Sequence, residues 1–281
     1  MRKIIQAKFV VLIALLSACS SPQIFYTLVD DFIEDEISYF LDLDEEQKFL
    51  LSRQVGDMVT WHRTSMMPSY AIYLENIADN LEMEQYNSIY VNEAIVEGKI
   101  LIEETISGLI PFASKFLTQY QTEKAIKFME KKMFERQQKR LKELMESEDE
   151  LYEKRLDRLT SNFQRFFGDL TDAQVILIEN YARDTLNNSK IRLENRTMRQ
   201  KVFLDFLRTQ PNENQLFKYL NKLILRGHLI INPSYRTFSE ANLKRFHFLL
   251  ETMLAISSSV QREKIIVKIR NYADEFKAVS G

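Results

Sequence analysis

Hydrophobic side chains recur at intervals of three and four along much of the chain, the spacing that places them on one face of an α-helix. Most steps in the series Leu141, Leu144, Leu151, Leu156, Leu159, Phe163 and Phe166 follow this spacing. Only six Gly and five Pro occur in 281 residues, which leaves few of the turns that a many-stranded sheet needs. The pattern predicts an all-α fold, an elongated multi-helix bundle of amphipathic helices.

Helix starts are marked by capping boxes, in which Ser, Thr, Asp or Asn is followed three residues later by Glu or Gln. The boxes begin at Asp44, Thr118, Ser147, Thr171 and Asn212, with a less ideal one from Ser239 to Asn242. Together with stops at Gly168 and Gly227 they predict helices near residues 28–40, 45–66, 68–80, 84–108, 111–120, 122–146, 148–167, 172–209, 213–226, 239–256 and 259–278. Some neighbouring helices are expected to be fused across a kink.

Residues 123–158 carry 11 basic and ten acidic side chains, so most of their surface is expected to face water. Two arrangements fit this composition. One is a charged helical hairpin that projects from the bundle, and the other is a pair of amphipathic helices that lie along it. The sequence leaves both open.

The first residues have the pattern of an export signal. Arg2 and Lys3 are followed by an unbroken apolar run over residues 9–16. A membrane-spanning helix needs about 20 apolar residues, so this run is too short for a stable span. We therefore expect it to direct export rather than to remain as a transmembrane helix.

The run ends in Leu16, Ser17, Ala18 and Cys19, which resembles the lipobox of bacterial lipoproteins at all four positions. The resemblance implies cleavage before Cys19, a diacylglyceryl group on its sulfur and a further acyl chain, such as palmitate, on its amine. It divides the chain into a signal peptide (1–18), a lipidated tether (19–27) and an all-helical periplasmic domain (28–281). Because Ser20 replaces the Asp that the family reads as an inner-membrane signal, the resemblance implies an outer-membrane anchor with the body facing the periplasm.

Cysteine and histidine usage limits other site chemistry. A single Cys allows no disulfide within the chain, and three His leave few ways to build a zinc site. The alternative to the lipobox is an ordinary cleaved signal followed by a free Cys19. The protein is expected to be exported, and its one thiol lies at the position that acylation requires. This position favours lipidation over a free thiol. We expect no metal and no cofactor.

Charge is unevenly distributed along the mature chain, although 35 basic residues nearly balance 40 acidic ones after residue 18. Residues 19–47 hold nine acids and no base, whereas residues 190–281 hold 17 bases and eight acids. The basic part could attract an anionic surface or an acidic partner. Alternatively, the acidic N-terminal helix packs on the basic C-terminal part, or both are solvated faces. Nucleic acid is not an expected partner, since the chain lacks a dense basic-aromatic patch.

Several motifs resemble an uncharacterised family of proteobacterial helical lipoproteins, a domain of unknown function. They are Tyr26-Thr27-Leu28-Val29-Asp30, Tyr39-Phe40-Leu41-Asp42-Leu43-Asp44 with Gln47, Trp61-His62-Arg63 with Pro68 and Tyr70, and Phe167-Gly168-Asp169-Leu170-Thr171 with Gln174. The resemblance implies the lipid anchor and the helical fold, and it supplies no activity. The Leu-Thr-x-x-Gln boxes are also similar to those of small helical periplasmic chaperones that respond to envelope stress.

Met58, His62 and Met66 are spaced by four and would share one face of a helix, with Met67 beside them. Thioether and imidazole groups are ligands that suit Cu(I). The alternative is ordinary core packing, in which Met fills irregular gaps and His62 bonds within an interface. We favour packing.

Trp61, His62, Arg63 and Tyr70 form the other candidate cluster, because aromatic and Arg side chains often anchor a binding groove. In the alternative arrangement, Trp61 is the centre of a core and Arg63 pairs with a nearby carboxylate. We favour the core.

No nucleophile elbow, phosphate-binding Gly loop or paired-His zinc motif occurs in the sequence. A dispersed triad that uses His62, His228 or His247 stays open, because triads are recognised by geometry. We assign no catalytic residue and no small-molecule substrate, and we expect a non-enzymatic lipoprotein that binds an envelope protein or cell-wall polymer. The alternatives are a holdase-like periplasmic chaperone and, less favoured, a cell-envelope hydrolase.

Overall fold

The computed structural model describes residues 26–281, which form eleven α-helices, one short 3-10 helix and no strand in that range. The prediction of an all-α multi-helix bundle is therefore confirmed. The helices are α1 (Val29–Phe40), α2 (Glu45–Ser65), α3 (Met67–Glu82), α4 (Ser88–Leu117), α5 (Glu123–Glu143), α6 (Glu148–Phe167), α7 (Asp172–Asp184), α8 (Asn188–Leu207), α9 (Glu213–Leu225), α10 (Ser234–Ala255) and α11 (Ser259–Ser280), with the 3-10 turn at Gly227–Leu229.

Four predicted capping boxes open helices as expected, at Asp44, Ser147, Thr171 and Asn212. In each box the cap side chain accepts a hydrogen bond from a backbone N–H three residues later, and the Glu or Gln at that position accepts one from the cap residue's own N–H. A fifth box, at Ser258, opens α11 and was not predicted.

Two predicted boxes are wrong. Thr118 ends α4 instead of starting a helix, and its hydroxyl donates back to the carbonyl of Lys115 at 2.7 Å. The next helix is capped by Thr122. Ser239 lies inside α10, which already begins at Ser234 after Pro233, a residue well suited to a helix entry.

Two predicted boundaries also differ from the structure. Residues 88–117 form one helix that continues through Pro111, because packing along α9 and α10 compensates for the backbone hydrogen bond that a proline cannot donate. Conversely, residues 172–209 are divided into α7 and α8 at the buried Thr185, whose hydroxyl donates to the carbonyl of Tyr181 and accepts from Arg155. Neither Gly nor Pro marks that break.

Buried side chains form three hydrophobic cores. The first joins α3, α4, α6, α7, α10 and α11 through Ala78, Leu81, Val91, Phe163, Phe167, Ile178, Leu249, Met253, Leu254, Ile265 and Ile269. The second joins α5, α8 and α9 through Leu41, Tyr120, Ile126, Met129, Leu204, Leu207 and Leu216. The third lies between α3 and α11 and contains Met66, Met67, Tyr70, Ala71, Ala273 and Phe276.

The pairing of α3 with α11 is the most extensive helix contact. It is flanked by ion pairs from Arg270 to Asp79 at 2.8 Å and to Glu82 at 2.6 Å, and by an ion pair from Lys277 to Glu75. Basic residues of the C-terminal part thus form ion pairs with acidic residues of α3. The chain end is thereby fixed on a helix that lies nearly 200 residues earlier.

The helices of the charged segment lie along the bundle, which is the second of the two arrangements that the sequence left open. Helix α5 packs on α8 and α1, whereas α6 packs on α7 and α11. Each helix buries two side chains against these neighbours, Ile126 and Met129 in α5 and Phe163 and Phe167 in α6. The two helices therefore do not form a projecting hairpin.

The acidic N-terminal helix α1 makes its most extensive contacts with α2 and α5, and Ile37 and Phe40 also pack on the second core, which contains Leu204 and Leu207 of the basic C-terminal part. A bidentate pair from Arg136 to Glu36 joins α5 to α1, and Lys124 pairs with Asp42, just after α1, at 3.4 Å. The guanidinium of Arg136 also lies 4.3 Å from the ring centre of Tyr39. Within residues 26–281, none of the helices combines the length and the apolar character that crossing a membrane requires.

Candidate functional site around His62

The candidate cluster of Trp61, His62, Arg63 and Tyr70 lies where α2 meets α3. Helix α2 carries Trp61, His62 and Arg63 in its last turns, and Met66 connects it directly to α3. Pro68 occupies the first turn of α3, where the missing N–H costs no hydrogen bond. This tight junction brings Tyr70 next to His62, eight residues earlier.

His62 bonds to two tyrosine hydroxyls. Its Nδ1 contacts the hydroxyl of Tyr26, and its Nε2 lies 3.2 Å from the hydroxyl of Tyr70. The Tyr70 hydroxyl also bonds to Thr105 of α4, and Thr105 donates to the carbonyl of Leu101 at 2.7 Å. The chain of bonds therefore joins the segment before α1 to α2, α3 and α4.

The direction of each hydrogen bond follows from counting protons. The single hydroxyl proton of Thr105 goes to the Leu101 carbonyl, so Tyr70 must donate to Thr105. The Tyr70 oxygen then accepts from Nε2–H of His62, and Nδ1 accepts from the Tyr26 hydroxyl. We assign the neutral Nε2–H tautomer to His62 on this ground.

Burial sets the electrostatics of the cluster. It lowers the pKa of His62 to about 4, because the surroundings disfavour a charged ring. Burial likewise raises the pKa of Tyr26, with a further rise from Tyr70 and an opposing effect of Arg63. Burial also raises the pKa of Tyr70. All three rings are neutral near pH 7.

Trp61 fills space against α4 instead of lining an open groove. A Cβ built on Gly108 would lie 1.9 Å from Trp61 Cζ2, so glycine is required for this close approach. The indole ring centre also lies 6.1 Å from that of Phe112. Tyr70 is buried against Phe276, and Arg63 remains exposed. The contacts support the packing of Trp61 in a core, whereas the predicted pair between Arg63 and a nearby carboxylate is not found among the ion pairs of residues 26–281.

The proposed soft-metal face of α2 is occupied by packing. Met66 is buried in the third core, and both ring nitrogens of His62 already contact tyrosine hydroxyls. A Cu(I) ion at His62 would have to displace one of these hydroxyls. In residues 26–281, no three His, Cys, Asp or Glu side chains are grouped so that they could hold a metal ion.

The three histidines have separate surroundings. His228 lies in the 3-10 turn, where Glu240 is an electrostatic neighbour. His247 lies in α10, and its Nε2 is buried without a hydrogen-bond partner among the described residues. Across residues 26–281, no serine hydroxyl or carboxylate bonds to His62, His228 or His247, so the structure does not assemble the dispersed triad.

Sequence reasoning missed two members of the cluster. Thr105 carries no motif that would reveal its bond to Tyr70. Gly108 carries a signal, because a glycine in the middle of a helix is destabilising unless close packing requires it. Cys19, the predicted lipidation site, lies outside the described residues, as do residues 1–18 and most of the predicted tether.

Comparison with known proteins finds one family. Residues 39–236 match the model of a family described as a family of unknown function (DUF6279). The match includes the Trp61-His62-Arg63 and Thr171-Gln174 motifs, and it starts after Tyr26. No curated protein and no solved structure shows a significant match.

Proposed function

Because the chain belongs to DUF6279, a family of unknown function, we propose its role from its own residues: a lipid-anchored, non-enzymatic lipoprotein of the bacterial outer membrane. In this proposal the helical body faces the periplasm and binds an envelope component, a protein or a cell-wall polymer. The acyl chains on Cys19 supply the membrane contact.

The contact between Tyr26 and His62 is the observation that carries the proposal. Only six residues separate Cys19 from Tyr26, so an extended chain spans at most about 25 Å between them. Tyr26 is in turn bonded to α2 and, through the His62 cluster, to α3 and α4. An acylated Cys19 would therefore hold this end of the bundle close to the lipid.

The anchor would be effectively permanent. A single myristoyl chain gives only marginal membrane binding, and each buried methylene adds about 0.8 kcal/mol, so two or three chains suffice for stable anchoring. A short tether and a fixed Tyr26 would then limit the body to partners near the membrane surface. Binding of an envelope component is the role that suits this restriction.

Substitution at the anchor tests the proposal. Cys19→Ala should accumulate as an unprocessed precursor, whereas the matched control Ser21→Ala should be processed and recovered with the outer membrane. Immunoblots of fractionated cells measure both size and location. A processed Cys19→Ala protein in the outer-membrane fraction would contradict the anchor.

A second candidate function is a holdase-like chaperone. Ile89, Val96 and Ile100 lie on one face of α4 and are 65%, 47% and 50% exposed. An apolar face of this kind could shield unfolded chains. In this case the wild type should suppress the aggregation of a denatured model protein, and a variant with serine at all three positions should not. The control variant, Asn92→Ser with Glu93→Ser, should keep this activity. Equal activity of both variants would remove this candidate.

A further inference from the structure

Arginine side chains from two helices line a cavity of about 220 Å³. They are Arg140 of α5 and Arg155 and Arg158 of α6, and Leu186 and Ser189, just before and at the start of α8, complete its edge. Arg192 of α8 repels Arg155 and Arg158, and Arg196 is repelled by Arg140. We call Arg140, Arg155, Arg158, Arg192 and Arg196 the arginine surface.

Two carboxylates, Glu143 and Glu146, also line the cavity, and each is paired with a cation there. Arg140 pairs with Glu143 at 2.5 Å, and Lys154 at the cavity edge pairs with Glu146. For the other four members of the arginine surface, no Asp or Glu oxygen within residues 26–281 lies within the 4.0 Å of an ion pair. The arginine surface therefore carries a net excess of positive charge.

Arg155 is held in position within this surface. Its Nε donates to the hydroxyl of the buried Thr185 at 2.9 Å, and its guanidinium lies 5.8 Å from the ring centre of Tyr181. Burial lowers the pKa of Arg155 to about 10. Burial, with repulsion from Arg140 and Arg192, also lowers the pKa of Arg158. Grouping these cations is unfavourable without an anion, so an anion would stabilise the arrangement.

We propose that the arginine surface binds a phosphate-bearing ligand. A guanidinium offers paired donors that match phosphate oxygens, and several such groups on three helices can surround one multiply charged phosphate. A single carboxylate would neutralise only one of the four unpaired cations. The proposal deepens the proposed function, on which it rests for the location of the ligand, because it names the chemistry of the envelope component.

Full-length Cys19→Ala protein in nonionic detergent micelles provides the test, because its binding does not depend on acylation. Isothermal titration calorimetry measures inorganic phosphate, and native mass spectrometry counts phosphatidylglycerol bound from mixed micelles. Adding Arg158→Gln with Arg192→Gln should weaken binding about tenfold or more, since charge-assisted contacts are lost. Arg53→Gln with Lys218→Gln makes the same charge change at exposed positions elsewhere and should leave binding unchanged.

The outcomes separate the two sources of phosphate. Binding of phosphatidylglycerol without inorganic phosphate identifies a lipid headgroup, and saturable binding of inorganic phosphate identifies the free ion; either result supports the site. Arg158→Lys with Arg192→Lys keeps the charge and removes the paired donors, so it gives the deciding comparison if the Gln variant does not fold. Binding of neither probe, or equal weakening in the Arg53 and Lys218 control, overturns the proposal and leaves the anchor unaffected.

Discussion

Gln174 and Gln261 exchange two hydrogen bonds through their side-chain amides, at 3.1 and 2.9 Å, across 87 positions of sequence. Each also lies three residues after the cap residue of a capping box, at the start of α7 and α11 respectively. The Gln261 amide donates further to the carbonyl of Asp169 at 2.8 Å. Two helix starts are thereby joined through a pair of buried, hydrogen-bonded amides.

Gln174→Ala should destabilise the protein by about 1–3 kcal/mol, because it leaves the buried amide of Gln261 without its partner. Gln261→Ala should have a similar effect. Urea unfolding of the two single variants and the double variant gives their coupling energy, which we expect to be about 1 kcal/mol or more because the residues share bonds.

The matched control is Gln47→Ala. Gln47 occupies the same position in an exposed capping box, and the side-chain bonds that the described residues form with it are the two capping bonds with Asp44. Its removal should cost only about 0.5–1 kcal/mol. The amide pair contributes nothing beyond capping if Gln174→Ala and Gln47→Ala lower the free energy of unfolding equally. The same conclusion follows if the effects of Gln174→Ala and Gln261→Ala simply add in the double variant.

Gly108→Ala should destabilise the protein by about 1–3 kcal/mol, because the new methyl group would overlap the indole of Trp61 in a packed region. The matched control is Gly56→Ala in α2, where no atom of residues 26–281, apart from the neighbouring residues and backbone of the same helix, lies within 4 Å of the added Cβ. Gly56→Ala should raise stability by up to about 1 kcal/mol through helix propensity. Thermal unfolding monitored by the fluorescence of the single tryptophan measures both, and stabilisation by both variants would contradict the packing of Trp61.

Local chemistry explains what the sequence could predict. The caps at Ser147 and Thr171 depend on residues three positions apart, so they are visible in the sequence, and they set the starts of α6 and α7 correctly. The second role of Gln174 depends on a residue 87 positions away. The arginine surface combines residues of a segment with balanced charge and residues of α8, so composition does not reveal it.

His62 should make stability depend on pH in a defined window. Its pKa is about 4 in the folded protein, below the ordinary value of 6.5, so only the unfolded chain takes up the proton between these values. Stability contributed by a neutral His62 is therefore complete above pH 6.5 and falls as the pH drops towards 4, by at most about 3 kcal/mol.

The measurement is the difference in urea midpoint between the wild type and His62→Phe at pH 7.5, 5.5 and 4.5. Loss of the hydrogen bonds to Tyr26 and Tyr70 gives a constant offset, and titration of other groups cancels in the comparison. The wild type should lose relative stability as the pH falls. A difference that does not vary with pH would show that His62 is not buried as described.

Gln210→Gly should stabilise the protein by about 0.5–1 kcal/mol, because Gln210, three residues after the end of α8, has a φ of 52°, a conformation that glycine adopts without steric cost. Its N–H bond to the carbonyl of Leu207 at 3.0 Å is kept. Thr209→Gly, one position earlier, should be destabilising. Chemical denaturation of the two variants compares them, and a loss of stability in both would contradict the left-handed assignment.

The account depends most on acylation of Cys19, since the proposed location and partners follow from it. Intact mass spectrometry of the protein purified from its native membrane tests this directly. We predict a polypeptide that begins at Cys19 and carries a diacylglyceryl group and a further acyl chain. A polypeptide that keeps residues 1–18, or one with an unmodified thiol at Cys19, would contradict the account.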